Sequence, residues 1–430
     1  MKTAYDSILS TIKNHQLPGI PSEEGLIHPH YGGYSIANLP ASICGWQGLP
    51  APIDNPFSPV ILKLFNRSYQ HIIFLLVDGL RLELFNRFYI ETLETGIHKA
   101  LKSLLQEGEF FPLTSISPST TSAALTTFWT GRLPAEHGVI GYELFLKELG
   151  LTANMIFHSV ASFIGDTGSV YRAGFNPATF LPVETLGPLF KENGIRSFAF
   201  QHSSIASSGL SQMLLKDVQS IPFETAFDLW QSMEKNLTSH RKSRTFSYIY
   251  WSGLDTLSHH ISPDSSRLYE EWGLFAKLLN QSLNKVRLSG LENTLFIMTA
   301  DHGQIPTKIE ADYDLQNHPD FTRHLVLMPT GEGRLPFLFI KNRQEEEIAG
   351  YLRTHWEEQF SMLPSEEILS SGLLGNGMPH QSTIDRMGSH VVFPKGNAYW
   401  WWVNKENHLL GRHGGLSSQE MLVPFFALQF

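Results

Sequence analysis

Apolar residues along the chain bunch into runs that stop abruptly at polar positions. HIIFLLVDG (71–79) holds six consecutive apolar residues from Ile72 to Val77, and similar runs recur at RSFAF (196–200), SYIYWSG (247–253) and TLFIMTADHG (294–303). A continuous run, as opposed to an alternating one, predicts a strand buried on both faces. Helical segments lie between the runs at 98–107, 121–130, 223–238 and 264–288. The resulting βαβα order predicts an α/β fold with a central, mostly parallel sheet flanked by helices.

The pattern divides the chain unevenly. Residues 1–70, rich in Pro, Gly and Asn, read as a loosely regular N-terminal arm packed on the core. Residues 71–303 and 412–430 form the expected core. Between them, 304–411 change character, with polar loops, a charged helix near 343–359 and the aromatic stretch AYWWWV (398–403), and are expected to form a smaller inserted cap. No internal repeat or low-complexity tract interrupts this order.

Composition narrows the partners. With 430 residues and a hydrophobic fraction of 42%, the chain can fill a sizeable core. A formal net charge of −9 argues against a surface built to coat a nucleic-acid polymer, so the expected partner is a small molecule. Cys44 is the single cysteine, which excludes an internal disulfide framework and leaves His and carboxylates as metal ligands. No apolar run approaches the roughly 18 residues of a membrane span, and Asp6 and Lys13 interrupt any signal-peptide core. The expected setting is the cytoplasm, without a membrane partner.

Three acids follow three of the apolar runs: Asp78, Asp255 and Asp301. Singly, an Asp at a strand end is a turn former or helix cap. Together, beyond the carboxyl ends of parallel strands, they would gather where open sheets bind ligands. Histidines join them. Asp255 and His259 stand i, i+4, on one face of a helical turn, while His260 points elsewhere. Asp301 and His302 precede a turn at Gly303, and His413 lies in the glycine-rich GRHGG. These donors suit two divalent ions, Zn²⁺ foremost and Mn²⁺ or Fe²⁺ as alternatives. They divide into Asp255, His259 and His413 for one ion and Asp78, Asp301 and His302 for the other. A cation pair of this kind clamps both oxygens of a phosphoryl displacement. SPSTTSAALTTFWTGRLPAEHG (117–138) adds five hydroxyl residues in six positions before an apolar helical run. They cap a helix, or one of them is a nucleophile over a helix start that favours anions.

With VDG, the Thr-containing stretch ending TGRLPAEHG, D-x-x-x-H, DHG and a late HGG in that order, the sequence resembles the alkaline phosphatase superfamily and, within it, the type I phosphodiesterase/nucleotide pyrophosphatase family. The resemblance covers about residues 70–303 and 408–430. It implies a three-layer alkaline-phosphatase-like fold, two zinc ions and a covalent phospho-enzyme on a Thr or Ser that water then hydrolyses. Counting back from Thr130-Gly131, it places Thr121 as nucleophile and metal-bridging group, with Ser119, Thr120 and Ser122 around it. It also marks a departure: Tyr142 stands where the family has an Asn that donates to a phosphoryl oxygen, and its phenol retains a donor. The expected activity is cleavage of phosphodiester or pyrophosphate bonds in small, nucleotide-type phosphorylated molecules. Phosphomonoester or phosphonate hydrolysis is the alternative within the superfamily, and a metal-stabilised binding protein without catalysis is the alternative outside it. The nucleophile region lacks the C-x-P-x-R pattern of sulfatases, and no GxxxxGK[ST] loop or GxSxG elbow occurs.

Other features have two readings each. Tyr399-Trp400-Trp401-Trp402 could stack an aromatic leaving group or pack between cap and core. Arg386 and Arg412 could pair with phosphate oxygens or with structural partners. His137 is expected to fix its turn by hydrogen bonding.

Overall fold

The computed structural model describes residues 2–51, 54–95, 101–161, 166–291 and 293–430. Its strands are, in chain order, β1 (His71–Val77), β2 (Glu109–Thr114), β3 (Glu143–Leu146), β4 (Leu151–Asn154), β5 (Ser159–Val160), β6 (Ile195–His202), β7 (Gln219–Phe223), β8 (Arg244–Trp251), β9 (Thr294–Thr299), β10 (Ile305–Pro306), β11 (Thr330–Glu332), β12 (Leu335–Leu338), β13 (Phe360–Pro364), β14 (His390–Pro394), β15 (Gly411–Arg412) and β16 (Leu422–Gln429). The four apolar runs are β1, β6, β8 and β9.

β1 is buried at every position and pairs in parallel with β8 on one side and β9 on the other. The whole central sheet has the order β2-β16-β9-β1-β8-β6-β7, with β16 alone running against its neighbours. Helices cover it, as the α/β reading requires. The expected helices appear as Lys102–Glu107, Thr121–Thr130, Ala226–Ser239 and Ser266–Leu288; the start of the first, at 98–100, lies outside the described residues. Thr121–Thr130 is buried along its length except at Thr121. Its Phe128 packs 4.6 Å from Phe74 of β1 and its Trp129 5.3 Å from Tyr248 of β8, centroid to centroid. Burial of one such ring contributes roughly 1.5–3 kcal/mol. These contacts seat the last turn of the helix on β1 and β8.

A second, antiparallel sheet has the order β13-β14-β12-β11-β3-β4-β5. Four of its strands come from 304–411, and three come from upstream, between 143 and 160, joined through Gly331 of β11 opposite Glu143 of β3. A charged helix, Glu345–His355, lies on it as expected. The short β10–β15 pair leads the chain out of the core and back.

The first 70 residues are more regular than the sequence reading allowed. They open with a helix, Lys2–Asn14, whose Ile8 and Ile12 are buried, and Leu39–Trp46 forms a second helix with Ile43 and Cys44 fully enclosed. The i, i+4 spacing of Ile8 and Ile12 outweighs the Pro and Gly that follow, because a helix needs only one apolar stripe to dock. Among the described residues no helix is long and apolar enough to cross a membrane.

Candidate active site

The three acids and three histidines converge at the carboxyl edge of the central sheet. Asp78 directly follows β1 and is buried; Asp301 and His302 follow β9 and are fully buried. Gly79 adopts φ +71° and lies so near the next loop that a Cβ there would sit 3.0 Å from the Asp255 Cα. Only a residue without a side chain lets these two loops touch. Asp255 and His259 sit one turn apart on the helix Gly253–Ile261, with His259 Nε2 3.4 Å from Asp255 Oδ1. His413 arrives just after β15, its Nε2 4.0 Å from the same Asp255 oxygen. His302 Nε2 lies 3.5 Å from both Asp78 Oδ1 and Asp301 Oδ2.

Three backbone carbonyls orient the three rings. The Nδ1 of His259 faces the Gly411 carbonyl at 2.9 Å, that of His302 the Gly303 carbonyl at 3.0 Å, and that of His413 the Ser119 carbonyl at 3.0 Å. A carbonyl only accepts, so each Nδ1 carries the proton and each Nε2 turns a lone pair toward the carboxylates. Lone pairs and carboxylate oxygens facing one another repel unless a cation joins them. Asp78 Oδ1 and Asp301 Oδ2 are buried without a hydrogen-bond partner, the condition of atoms made for a metal. Burial first, and then Asp255 and Asp301, push the Asp78 carboxyl well above its usual range. Burial also raises Asp301, offset in part by His302. His413 is driven well down by burial, with His302 and His259 adding to the effect. A bound divalent cation reverses each of these penalties. The donor set therefore fits divalent ions.

Among the described residues two groups bring one ligand atom each within 4.8 Å of one another: Asp78, Asp301 and His302, and Asp255, His302 and His413. The first is the expected set. The second takes His302 where the sequence reading placed His259, because the His302 and His413 rings stack at 3.8 Å and 16°, whereas the His259 and His413 centroids are 5.3 Å apart. His259 stays at the rim, in reach of Asp255.

The five hydroxyls before the helix separate by partner. Ser119 Oγ donates to the Gly415 carbonyl, Thr120 Oγ1 to Glu332 Oε1 and Ser122 Oγ to the Gly141 carbonyl. Ser117 Oγ is buried and unpartnered. Thr120 occupies the cap position, φ −139°, without a side-chain cap bond. Thr121 alone turns its hydroxyl to the cluster, donating to His302 Nε2 at 3.1 Å. Of the five, Thr121 is the one whose hydroxyl meets the acid and histidine cluster, and Thr120 at the cap position makes no side-chain cap bond.

A family model described as type I phosphodiesterase/nucleotide pyrophosphatase matches residues 72–415. The chain belongs to this family. Its members are metal-dependent hydrolases of the phosphodiesterase and pyrophosphatase type, within the alkaline phosphatase superfamily, and act on small phosphorylated substrates. No curated protein sequence matches the chain significantly. Among solved structures, murine ectonucleotide pyrophosphatase/phosphodiesterase 5 is similar at a TM-score of 0.60 and 15% identity, over 84% of this chain and 88% of that one. An inactive variant of the murine enzyme is known in complex with AMP. Phosphonoacetate hydrolase from Sinorhizobium meliloti 1021, solved with phosphonoformate, is similar at a TM-score of 0.60 and 18% identity, over 84% of this chain and 90% of that one. At such identities the likeness establishes the alkaline-phosphatase-like fold.

A cavity of about 560 Å³ opens above the cluster. Its floor includes Asp255, His259 and His413, and its walls include Tyr142, Phe157, Glu332 and Trp402. Tyr142 stands at this wall with its backbone N–H on Glu332 Oε1 at 3.0 Å and its phenol paired with Asn154. Trp402 donates its Nε1 to Glu143 Oε2 at 2.9 Å, while Trp400 and Trp401 are buried. All three tryptophans border the cavity, Trp400 and Trp401 as rings otherwise buried in the packing and Trp402 as the more open one. Arg386 donates to the Gly138 carbonyl, and Arg412 lies 3.8 Å over Tyr399 and donates to Asn407. Both are structurally engaged. His137 fixes its turn as expected, its Nδ1 accepting from the Val139 N–H and its Nε2 donating to Thr127.

Sequence reasoning missed Tyr250, whose hydroxyl donates to Asp78 Oδ2, and Gln304, whose amide donates to Asp255 Oδ1. Gln304 directly follows DHG and could have been found by that adjacency. Glu332 carries no local signal at all.

Proposed function

We propose that the chain hydrolyses phosphodiester or pyrophosphate bonds of small, nucleotide-type molecules, using two divalent cations, Zn²⁺ foremost, and a phospho-enzyme on Thr121. The observation that carries this reading is the single hydroxyl of Thr121 aimed into a cluster of three acids and three lone-pair-bearing histidines. Asp78, Asp301 and His302 would hold one cation beside Thr121; Asp255 and His413, with His259 at the rim, would hold the other. Bound there, the cations would supply the positive charge that favours loss of the Thr121 proton and offsets charge growing on the phosphoryl oxygens.

The residues of the chain do the rest. Thr121 Oγ1 attacks phosphorus, so that a bond from Oγ1 to phosphorus forms as the bond to the leaving oxygen breaks. The threonine proton passes to solvent and the leaving oxygen takes one up. A water then attacks the same phosphorus, the Oγ1 bond breaks, and Thr121 regains its proton. The helix behind Thr121 turns its positive end to the anionic phosphoryl group, and the cavity receives the remaining substituent. The AMP complex of the murine structural neighbour is consistent with a nucleotide-type substituent.

Thr121→Ala tests this. The expected result is a loss of roughly a thousandfold or more in turnover of bis(p-nitrophenyl) phosphate, with metal content and fold retained. Undiminished turnover would end the reading. Phosphonate hydrolysis is the second reading, favoured by Tyr142 in place of the family's Asn and by the similarity to phosphonoacetate hydrolase. Faster release of phosphate from phosphonoacetate than cleavage of the diester would select it.

A further inference from the structure

A fully enclosed arginine–carboxylate ion pair joins the second sheet to the loop that carries His413. Arg334, at the turn between β11 and β12, and Glu420, in the short helix Ser418–Met421, are 1% and 0% exposed as side chains. Their contact is forked, Arg334 Nη2 donating to Glu420 Oε2 at 2.8 Å and Nε to Oε1 at 3.2 Å. Arg334 Nη1 is spent on the carbonyls of Gly396 and Ala398. A buried ion pair is weak evidence for stability, because desolvation offsets most of the attraction. What such a pair does supply is fixed geometry.

The remaining bonds of Glu420 show what is held. Its Oε1 accepts from the Gly415 N–H at 2.8 Å and its Oε2 from the Ser417 N–H at 3.3 Å. Gly415 returns its carbonyl to Ser119 Oγ at 2.8 Å, and Gly414 N–H donates to the same oxygen at 3.1 Å. The Ser119 carbonyl accepts from His413 Nδ1. A side chain at Gly414 would strike Glu332, next but one to Arg334, at 2.5 Å. An unbroken set of bonds thus runs from Arg334 through Glu420 to the His413 turn, and ends at the segment that carries Thr121.

We propose that Arg334 and Glu420 are positioning residues for the cation bound by Asp255 and His413, setting its affinity from the second sheet. The proposal rests on the two-cation reading above. Outer partners of metal ligands typically change affinity by 10- to 100-fold, and Arg334 acts through Glu420 without touching the ion.

The test uses the full-length protein, stripped with chelator and titrated with Co²⁺, whose visible absorption reports each equivalent bound; thermal unfolding of the stripped protein is followed alongside. Arg334→Lys, which keeps the charge but not the fork, and Glu420→Gln, which keeps the shape, should each weaken one of two Co²⁺ equivalents at least tenfold and leave the other. His413→Ala should lose the same equivalent, and Arg334→Lys added to it should change the remaining isotherm no further. If both variants lower the unfolding temperature yet bind two equivalents within threefold of wild type, the pair is only structural and the proposal is overturned. Equal weakening of both equivalents overturns it too. A wild-type protein that binds no Co²⁺ overturns the two-cation reading itself, and this proposal with it.

Discussion

The two seven-stranded sheets divide the labour differently. The central sheet is parallel around β1, so its loops all emerge at one edge, and that edge receives Asp78, Asp255, Asp301 and His302 from three neighbouring strands. The second sheet is antiparallel, so its turns face both ways, and among the described residues it gives no side chain to the candidate metal-ligand groups. It gives walls instead: Glu332, Trp402 by way of Glu143, and the anchor Arg334. A parallel sheet concentrates chemistry because its strand ends coincide; an antiparallel sheet is free to shape the space above.

That contrast can be broken experimentally. The largest effect is expected in the central sheet: Asp301→Asn, which removes a charge from the buried cluster, should lower diester turnover roughly a thousandfold and cost one metal equivalent, as read by kinetics and metal analysis. A variant that kept its rate would show that the strand-end acids are not the chemistry. An intermediate effect is expected at the junction of the regions, in the turn of His137. Burial holds this imidazole down to about 3 from its ordinary 6.5, with Arg386 adding to the effect. The unfolded chain therefore takes up a proton that the folded one refuses. This part of the stability is present above pH 6.5 and is lost as the pH falls toward 3, by about 2 kcal/mol between pH 7 and 5. Urea unfolding at the two pH values should show a smaller drop in His137→Gln than in wild type; equal drops would remove His137 from the account. The smallest effect belongs to the cavity wall held against the second sheet: Trp402→Ala should raise KM about tenfold and leave kcat nearly as it was, the pattern of binding lost equally in ground and transition states. A fall in kcat of the same size would mean that the wall participates in the chemistry.

Legibility in the sequence followed the same division. β1 and β9 announce themselves as unbroken apolar runs, and each ends at an acid that the fold uses, so the fold class and the cluster could be read together. The Thr121 hydroxyl could be singled out from its four neighbours by family resemblance, and the structure assigns a separate environment to each of them. Glu332 and Arg334 could not be read, because their partners Thr120 and Glu420 stand 212 and 86 residues away and no local period marks such a pairing. The membership of β3 to β5 in the second sheet was hidden for the same reason, since Glu143 meets Gly331 only in three dimensions. The helix Lys2–Asn14 was a different kind of miss. Tyr5, Ile8 and Ile12 carry the helical stripe, but it spans only thirteen residues and the Pro and Gly that follow dominate the composition of the segment.

The placement of β16 ties the closing of the central sheet to the candidate site. This strand lies between β2 and β9, the one reversed member of the central sheet, and it comes directly after the turn that delivers His413. Without the segment at 422–429, β9 would keep an open edge and β2 would have no partner strand in the sheet. The His413 turn and β16 are one continuous segment, so seating β16 between β2 and β9 also fixes where that imidazole can stand.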